Sequence, residues 1–203
     1  MSVEPFVSIV ISNWNSRDLV DVCVNSVLKT DYSSFEVIVV DDASIDDGPA
    51  FLRDKYGHDP RFALLVNKRN EGLTRVFNHG YEHSHGQYVV FMHGDTYVES
   101  DWLRRFVEFM EANPSVGIAQ GKILSIEKPN VLLNVGRTMD YLGLPCRMVG
   151  MGEEDRGQYE EPRETFTVWD ACTMARRRAI ETVGAFDPEF FVNLEEEDLT
   201  WRM

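Results

Sequence analysis

An α/β fold built on a parallel, doubly wound sheet, with helices on both faces, is what this sequence predicts. Strand-like and helix-like segments alternate from residue 6 to 120, an order that calls for parallel strands joined by right-handed crossovers. The strand segments are short, β-branched apolar runs, as buried strands are. The chain has 203 residues, enough for a substantial core, and no linker divides it, so it reads as a single domain.

The elements follow in order. "FVSIVI" (6–11) is the first strand. In "SRDLVDVCVNSVLKT", Leu19, Cys23 and Val27, and then Val20, Val24 and Leu28, recur at helical spacing, with Asn15 or Ser16 as N-cap and Asp18 in the first turn. "FEVIVV" (35–40) is the second strand, leaving through "DDASIDDG". "PAFLRDKYG" is a short helix with Pro49 near its start and Gly57 past its end. "FALLV" (62–66) is the third strand, and "LTRVFNHGYEHS" a helix weakened by Gly80. After the fourth strand, "YVVFM" (88–92), comes the helix "SDWLRRFVEFMEANP". Ser100 caps it, Leu103, Phe106, Val107 and Met110 line one face, and Pro114 ends it. "VGIAQ" (116–120) is a fifth strand. From 121 to 165 the signal fades, and "MGEEDRGQYEEPRE" reads as an exposed loop. Order returns with "TFTVWDACTMARR", the short helix "RRAIETVG" and finally "AFDPEFFVNLEEEDLTWRM".

Composition excludes several classes. Apolar residues make up 43% and charged residues 27%, the balance of a soluble globular chain. No apolar run approaches the about 20 residues of a membrane-spanning helix. "MSVEPFVSIVI" has no basic segment ahead of its apolar run, unlike a secretory signal. These features predict a cytoplasmic protein and leave peripheral contact with the inner membrane face open. A net charge of −14 argues against nucleic-acid binding, which needs clustered Lys and Arg. The same charge means that an anionic ligand requires a local cation, either a divalent metal or a few arginines. Cys23, Cys146 and Cys172 are odd in number and widely spaced, and Cys23 and Cys172 read as buried free thiols.

In open α/β sheets ligands bind outside the carboxyl ends of the strands. Here those ends carry "SNWN", "DDASIDD", "NKRNEG" and "HGD". A dinucleotide site would show GxGxxG after the first strand, and no P-loop motif occurs. Each feature also has a plain structural reading: Asp41 and Asp42 as turn residues, Asn70 to Gly72 as a turn, His93 as a satisfied core histidine, Asp95 as a turn acid and "EEED" as a solvated face. Their common edge favours a site, as does the position of "EEED" directly after the apolar "FFV".

The segments "VSIVISNWN", "FEVIVVDDASIDD", "NEGLTRVFNHG", "GQYVVFMHGDTYV" and "GAFDPEFFVNLEEEDLTWR" resemble the successive motifs of family 2 glycosyltransferases. The resemblance spans nearly the whole chain. It implies the GT-A fold, a Rossmann-like, doubly wound and mostly parallel sheet. It also implies transfer of a sugar from a nucleotide-diphosphate sugar, with inversion and with Mn²⁺ or Mg²⁺. On this resemblance Ser12, Asp41 and Asp42 fall in the nucleotide site, with Asp42 accepting the N3–H of uracil or thymine. Asn70 and Arg75 fall near the diphosphate. His93-Gly94-Asp95 takes the DxD position, making Asp95 the expected metal ligand. Trp169 and Asp170 match an acceptor-site segment, and Glu195 and Glu196 fill the catalytic pair, with Glu196 at the place of the base. Residues 1–120 would hold the nucleotide sugar and 121–203 the acceptor, a glycan, a lipid-linked group or another hydroxyl.

Two residues depart from the family pattern. His93 replaces the first acid of DxD, and imidazole suits Mn²⁺ better than Mg²⁺. Its role therefore stays open between metal ligand and contact to ribose or phosphate. Glu196 replaces an aspartate, moving its carboxylate by about one bond length. Family members normally continue beyond "DLTWRM", so a truncated catalytic domain is expected. Two rivals stand beside this reading: a sugar-phosphate nucleotidyltransferase, which wants a Gly-rich basic loop after the first strand, and an inactive nucleotide-sugar-binding module.

Overall fold

The computed structural model describes residues 4–142 and 145–203, with the backbone alone at 145–147. β1 (Val7–Asn13), β2 (Phe35–Asp41), β3 (Phe62–Val66) and β4 (Tyr88–His93) are joined by α1 (Arg17–Leu28), α2 (Gly48–Tyr56) and α3 (Leu73–Glu82). α4 (Trp102–Ala112) leads to β5 (Ile118–Gln120), and β10 (Cys172–Arg176), α5 (Arg177–Val183) and α6 (Glu195–Arg202) complete the main layers. The sheet has six strands in the order β3-β2-β1-β4-β10-β5.

Side chains alternate across the strands. On one face Ile9, Ile11, Val37, Val39, Val90 and Met92 pack with Val20, Cys23 and Val24 of α1 and Leu103 and Met110 of α4. On the other, Val10, Ile38, Val40, Val89 and Phe91 pack with Phe77 of α3, Ile180 of α5 and Leu199 of α6. The apolar stripe expected on α4 is the buried one. Its N-cap, however, is Asp101 and not Ser100, whose carbonyl instead accepts from Asp31 N–H and the Thr30 hydroxyl.

"VGIAQ" does not extend the parallel run. β10 pairs antiparallel with β4, and β5 pairs antiparallel with β10 at the outer edge. β10 is buried from Cys172 to Ala175, so it takes the interior place, whereas the three residues of β5 are only half-buried. Between them, β6 (Ile123–Leu124) pairs with β7 (Leu132–Asn134), and β8 (Arg137–Met139) with β9 (Pro145–Met148). Strands of two to four residues are too short to show a period and were not legible in the sequence. Residues 151–164 are largely exposed, as expected.

Gly80 weakens α3 in isolation yet is required by the packing. A Cβ there would lie 2.2 Å from Val10 Cγ1 and 3.1 Å from Val40 Cγ2. Gly80→Val should cost about 2–3 kcal/mol through overpacking, read as a lowered denaturation midpoint. Gly80→Ala should cost less, because it gains about 1 kcal/mol of helix propensity. A Val variant with the parent midpoint would show that α3 can move off the sheet freely.

Cys23 and Cys172 are free and buried. Burial pushes the Cys172 thiol up to about 12 and Cys23 higher still, so both are inert packing groups at neutral pH. Among the described residues, no helix is long and apolar enough to cross a membrane.

Candidate active site

The sheet register brings the polar loops to one edge. Ser12 at the end of β1 lies opposite Val40 of β2 and His93 of β4. β10 runs the other way, so Cys172 at its start lies opposite Met92. Asp170, two residues upstream, therefore reaches the same edge as His93.

Asp41 and Asp42 have different roles. Asp41 is fully buried, and its carboxylate accepts from Asn13 Nδ2 at 2.6 Å, the Ser44 hydroxyl at 2.7 Å and Ser44 N–H at 2.9 Å. These contacts tie Asp41 to β1 and to its own exit loop. Asp42 is 4% exposed and accepts from Asn67 Nδ2 at 2.8 Å, Glu71 N–H at 3.0 Å and Gly72 N–H at 2.9 Å. Glu71 N–H reaches both oxygens of this carboxylate, at 3.0 Å each, so donors from the loop after β3 hold it at the crevice edge. Asn70 and Arg75 are exposed on the loop and first turn beside it, and Ser12 is half-buried.

Gly94 lets β4 turn away against β1, since a Cβ there would meet Ser12 O at 2.6 Å. The His93 ring stacks on Phe77, with centroids 6.1 Å apart. Its Nε2 lies 3.3 Å from Asp170 Oδ2. This is ion-pair range, yet neither atom has an aligned hydrogen-bond partner among the described residues. Burial disfavours the imidazolium, but Asp170, with Asp95 and Glu196 beyond, outweighs it and raises the His93 pKa above its ordinary value. Asp95 itself is exposed.

The acidic run is not a solvated face. Glu195, Glu196 and Glu197 form the first turn of α6 and are 1%, 5% and 6% exposed. Asn193 and Leu194 precede them, both at φ 71°, a left-handed pair without glycine that aims this turn into the crevice. Burial first, then the Asp170 charge, raises the Glu195 pKa. The same two causes push Glu196 up to about 7, against the lowering effect of Arg137. Arg137 Nη1 lies 3.2 Å from Glu196 Oε1 and also contacts Glu197 Oε1. Trp169 is half-buried beside Asp170, its N–H donating to Gln120 Oε1 at 2.6 Å.

Carboxylate oxygens of Asp170, Glu195 and Glu196 all lie within 4.8 Å of one another. Asp170 Oδ2, Glu195 Oε2 and Glu196 Oε2 are buried without a hydrogen-bond partner among the described residues. Buried carboxyl oxygens without partners, with the His93 imidazole against Asp170, make a donor set suited to a divalent cation. Sequence reasoning missed Arg137, Asn67 and Glu197. The one available signal for Arg137 was the charge balance, which calls for arginines or a metal near so many acids.

A mixed sheet whose parallel strands end in polar loops, closed by a helix opening on buried carboxylates, is the GT-A arrangement. The Glycosyl transferase family 2 profile matches residues 8–184, and the chain belongs to that family. It is 24% identical over 198 residues to poly-beta-1,6-N-acetyl-D-glucosamine synthase of Staphylococcus epidermidis, covering 97% of this chain and 45% of the synthase. Solved structures share the fold, two of them with a bound nucleotide sugar. Mannosyltransferase PcManGT from Pyrobaculum calidifontis, in complex with GDP-Man and Mn²⁺, has a TM-score of 0.71 at 19% identity over 98% of this chain and 51% of its own. S. aureus TarS 1-349 in complex with UDP-GlcNAc has a TM-score of 0.69 at 20% identity over 97% and 52%. The chain spans 30% to 57% of the length of the curated relatives it matches.

Proposed function

We propose that this chain carries the catalytic part of an inverting glycosyltransferase, which moves a sugar from a UDP- or dTDP-sugar to an acceptor hydroxyl by direct displacement. The observation that carries the reading is Glu196: a buried carboxylate with one oxygen unpaired among the described residues, at the strand edge where the Asp42 loop ends. In this role Glu196 Oε2 takes the acceptor hydroxyl proton as the oxygen attacks the anomeric carbon and the nucleoside diphosphate leaves from the opposite face. Residues 1–120 bind the donor, with Asp42 facing the base N–H and Asn70 and Arg75 beside the diphosphate. Trp169 and Asp170 line the acceptor side. Asp95, with His93 adjacent, would hold Mn²⁺ or Mg²⁺, whose charge offsets that of the departing diphosphate.

The nucleotidyltransferase rival lacks support, because "SNWNSRD" after β1 has no glycine-rich basic loop. An inactive binding module differs in one measurement, since it would bind nucleotide sugar without hydrolysing or transferring it. For the donor, calorimetry with UDP, GDP and ADP in Mn²⁺ is the test. An acid at the base position favours UDP over ADP, because adenine has no ring N–H to donate there. Tighter binding of ADP would overturn the donor assignment.

A further inference from the structure

We propose that Arg137 is a positioning residue for this reaction, clamping Glu196 to Glu197 so that one oxygen of Glu196 is fixed and the other faces the acceptor. The inference rests on the reading of Glu196 as base. The side chains of Arg137, Glu196 and Glu197 are only 16%, 6% and 7% exposed. Glu196 and Glu197 are adjacent in the chain, and both would carry charge inside the protein. One guanidinium nitrogen spans Oε1 of both, which leaves Glu196 Oε2 as the unpaired oxygen. The clamp thus selects which oxygen can take a proton.

The backbone of Arg137 is itself held in place. Its N–H donates to Thr165 Oγ1 at 2.9 Å, and its carbonyl accepts from the Thr165 hydroxyl at 2.9 Å and from Phe166 N–H at 3.1 Å. Gly136 before it sits at φ 117°, and a Cβ there would meet Thr165 Oγ1 at 2.3 Å. Gly136 N–H donates to Asn134 Oδ1 at 2.6 Å, and the same oxygen accepts from Gln120 Nε2 at 2.9 Å. Gln120 Oε1 in turn holds Trp169 N–H at 2.6 Å. From the other side, the Thr200 hydroxyl donates to Glu196 O at 2.6 Å. The guanidinium therefore projects from a backbone stapled to the extended segment that leads to Trp169 and Asp170. This is the kind of support that keeps a reacting group within a fraction of an ångström. A bare counter-charge would need no such fixed backbone.

The test compares Arg137→Gln, Arg137→Lys, Glu196→Gln and the Arg137→Gln/Glu196→Gln double variant. The readout is nucleoside diphosphate release from a pool of UDP-GlcNAc, UDP-glucose, UDP-galactose and dTDP-rhamnose with Mn²⁺. Arg137→Gln should lower kcat by about 10²-fold, the scale of a 1 Å misplacement, with donor KM and UDP affinity near parent. Arg137→Lys should recover part of the loss. The double variant should be no slower than Glu196→Gln alone, because the two act as one unit. A parent-like kcat in Arg137→Gln, a raised donor KM at unchanged kcat, or a multiplicative double variant would overturn the proposal. If Glu196→Gln turns over at the parent rate, it is the base reading that fails. Crystal structures of parent and Arg137→Gln give a readout independent of turnover. The Glu196 carboxylate should shift while the sheet stays in place, and an unmoved carboxylate defeats the clamp.

Discussion

Glu196→Gln should lower turnover by about 10²–10⁴-fold, the usual contribution of a general base, while UDP affinity measured by calorimetry stays at the parent value. The separation follows from where a base acts. It gains its interaction in the transition state, so its loss appears in kcat and spares ground-state binding. The amide keeps the shape and an oxygen that can accept from Arg137, and removes the negative charge and with it the proton acceptor. Glu195→Gln is the control, because a run of three glutamates leaves the register open by one residue. Glu195 is the more deeply buried of the two and faces Asp170 and His93. The parent should show a matching pH profile. Burial and the Asp170 charge hold the Glu196 carboxyl protonated up to about pH 7. Only the ionised form accepts a proton, so kcat should rise with pH through about 7 and level off above it. Glu196→Asp, which restores the family's residue, should retain turnover. Parent-rate transfer by Glu196→Gln would move the role to Glu195 or Asp198.

The loops at the ends of β2, β3 and β4 were legible in the sequence, because each strand is an apolar run that stops at a polar cluster. That rule picks out Asp42, Asn70, His93 and Asp95, whose roles belong to the proposed function. Asp41 obeys the same pattern, which does not show that its carboxylate also binds β1 and its own loop. The direction of β10 was not legible either, because an apolar run reads the same in both directions. The position of "EEED" after "FFV" pointed to a site edge, but not to the burial of three successive glutamates. Desolvating a carboxylate is costly, so burial needs compensating partners. What makes burial tolerable is tertiary: the N-terminal end of α6, whose dipole favours negative charge, and Arg137, supplied by a hairpin about 60 residues earlier. Neither partner announces itself locally.

Asp95→Ala should remove the dependence of UDP binding on divalent ion, together with most of the affinity. The chain carries a net charge of −14, and the strand edge concentrates Asp42, Asp95, Asp170, Glu195 and Glu196. A diphosphate approaching that field is repelled unless a cation lies between, so parent affinity should fall sharply when Mn²⁺ is replaced by chelator. A ligand contributes at least as much as the outer-sphere partners that tune metal sites by about 10–100-fold, and a loss of that size or larger is expected in Asp95→Ala. Because Asp95 is exposed, unlike the carboxylates behind it, its removal should leave the ligand-free melting temperature unchanged, separating a binding defect from a folding one. The buried cluster provides the contrast. Asp170→Asn should weaken Mn²⁺ binding only if the ion sits against Asp170 and Glu195, and should leave it intact if Asp95 holds the ion at the mouth of the crevice. His93→Asp, which rebuilds the family's first acid, should narrow the preference for Mn²⁺ over Mg²⁺, since it exchanges a nitrogen donor for an oxygen. UDP binding equally well in chelator would remove the metal role from Asp95, leaving Arg75 and the N–H groups at the start of α3 to meet the diphosphate alone.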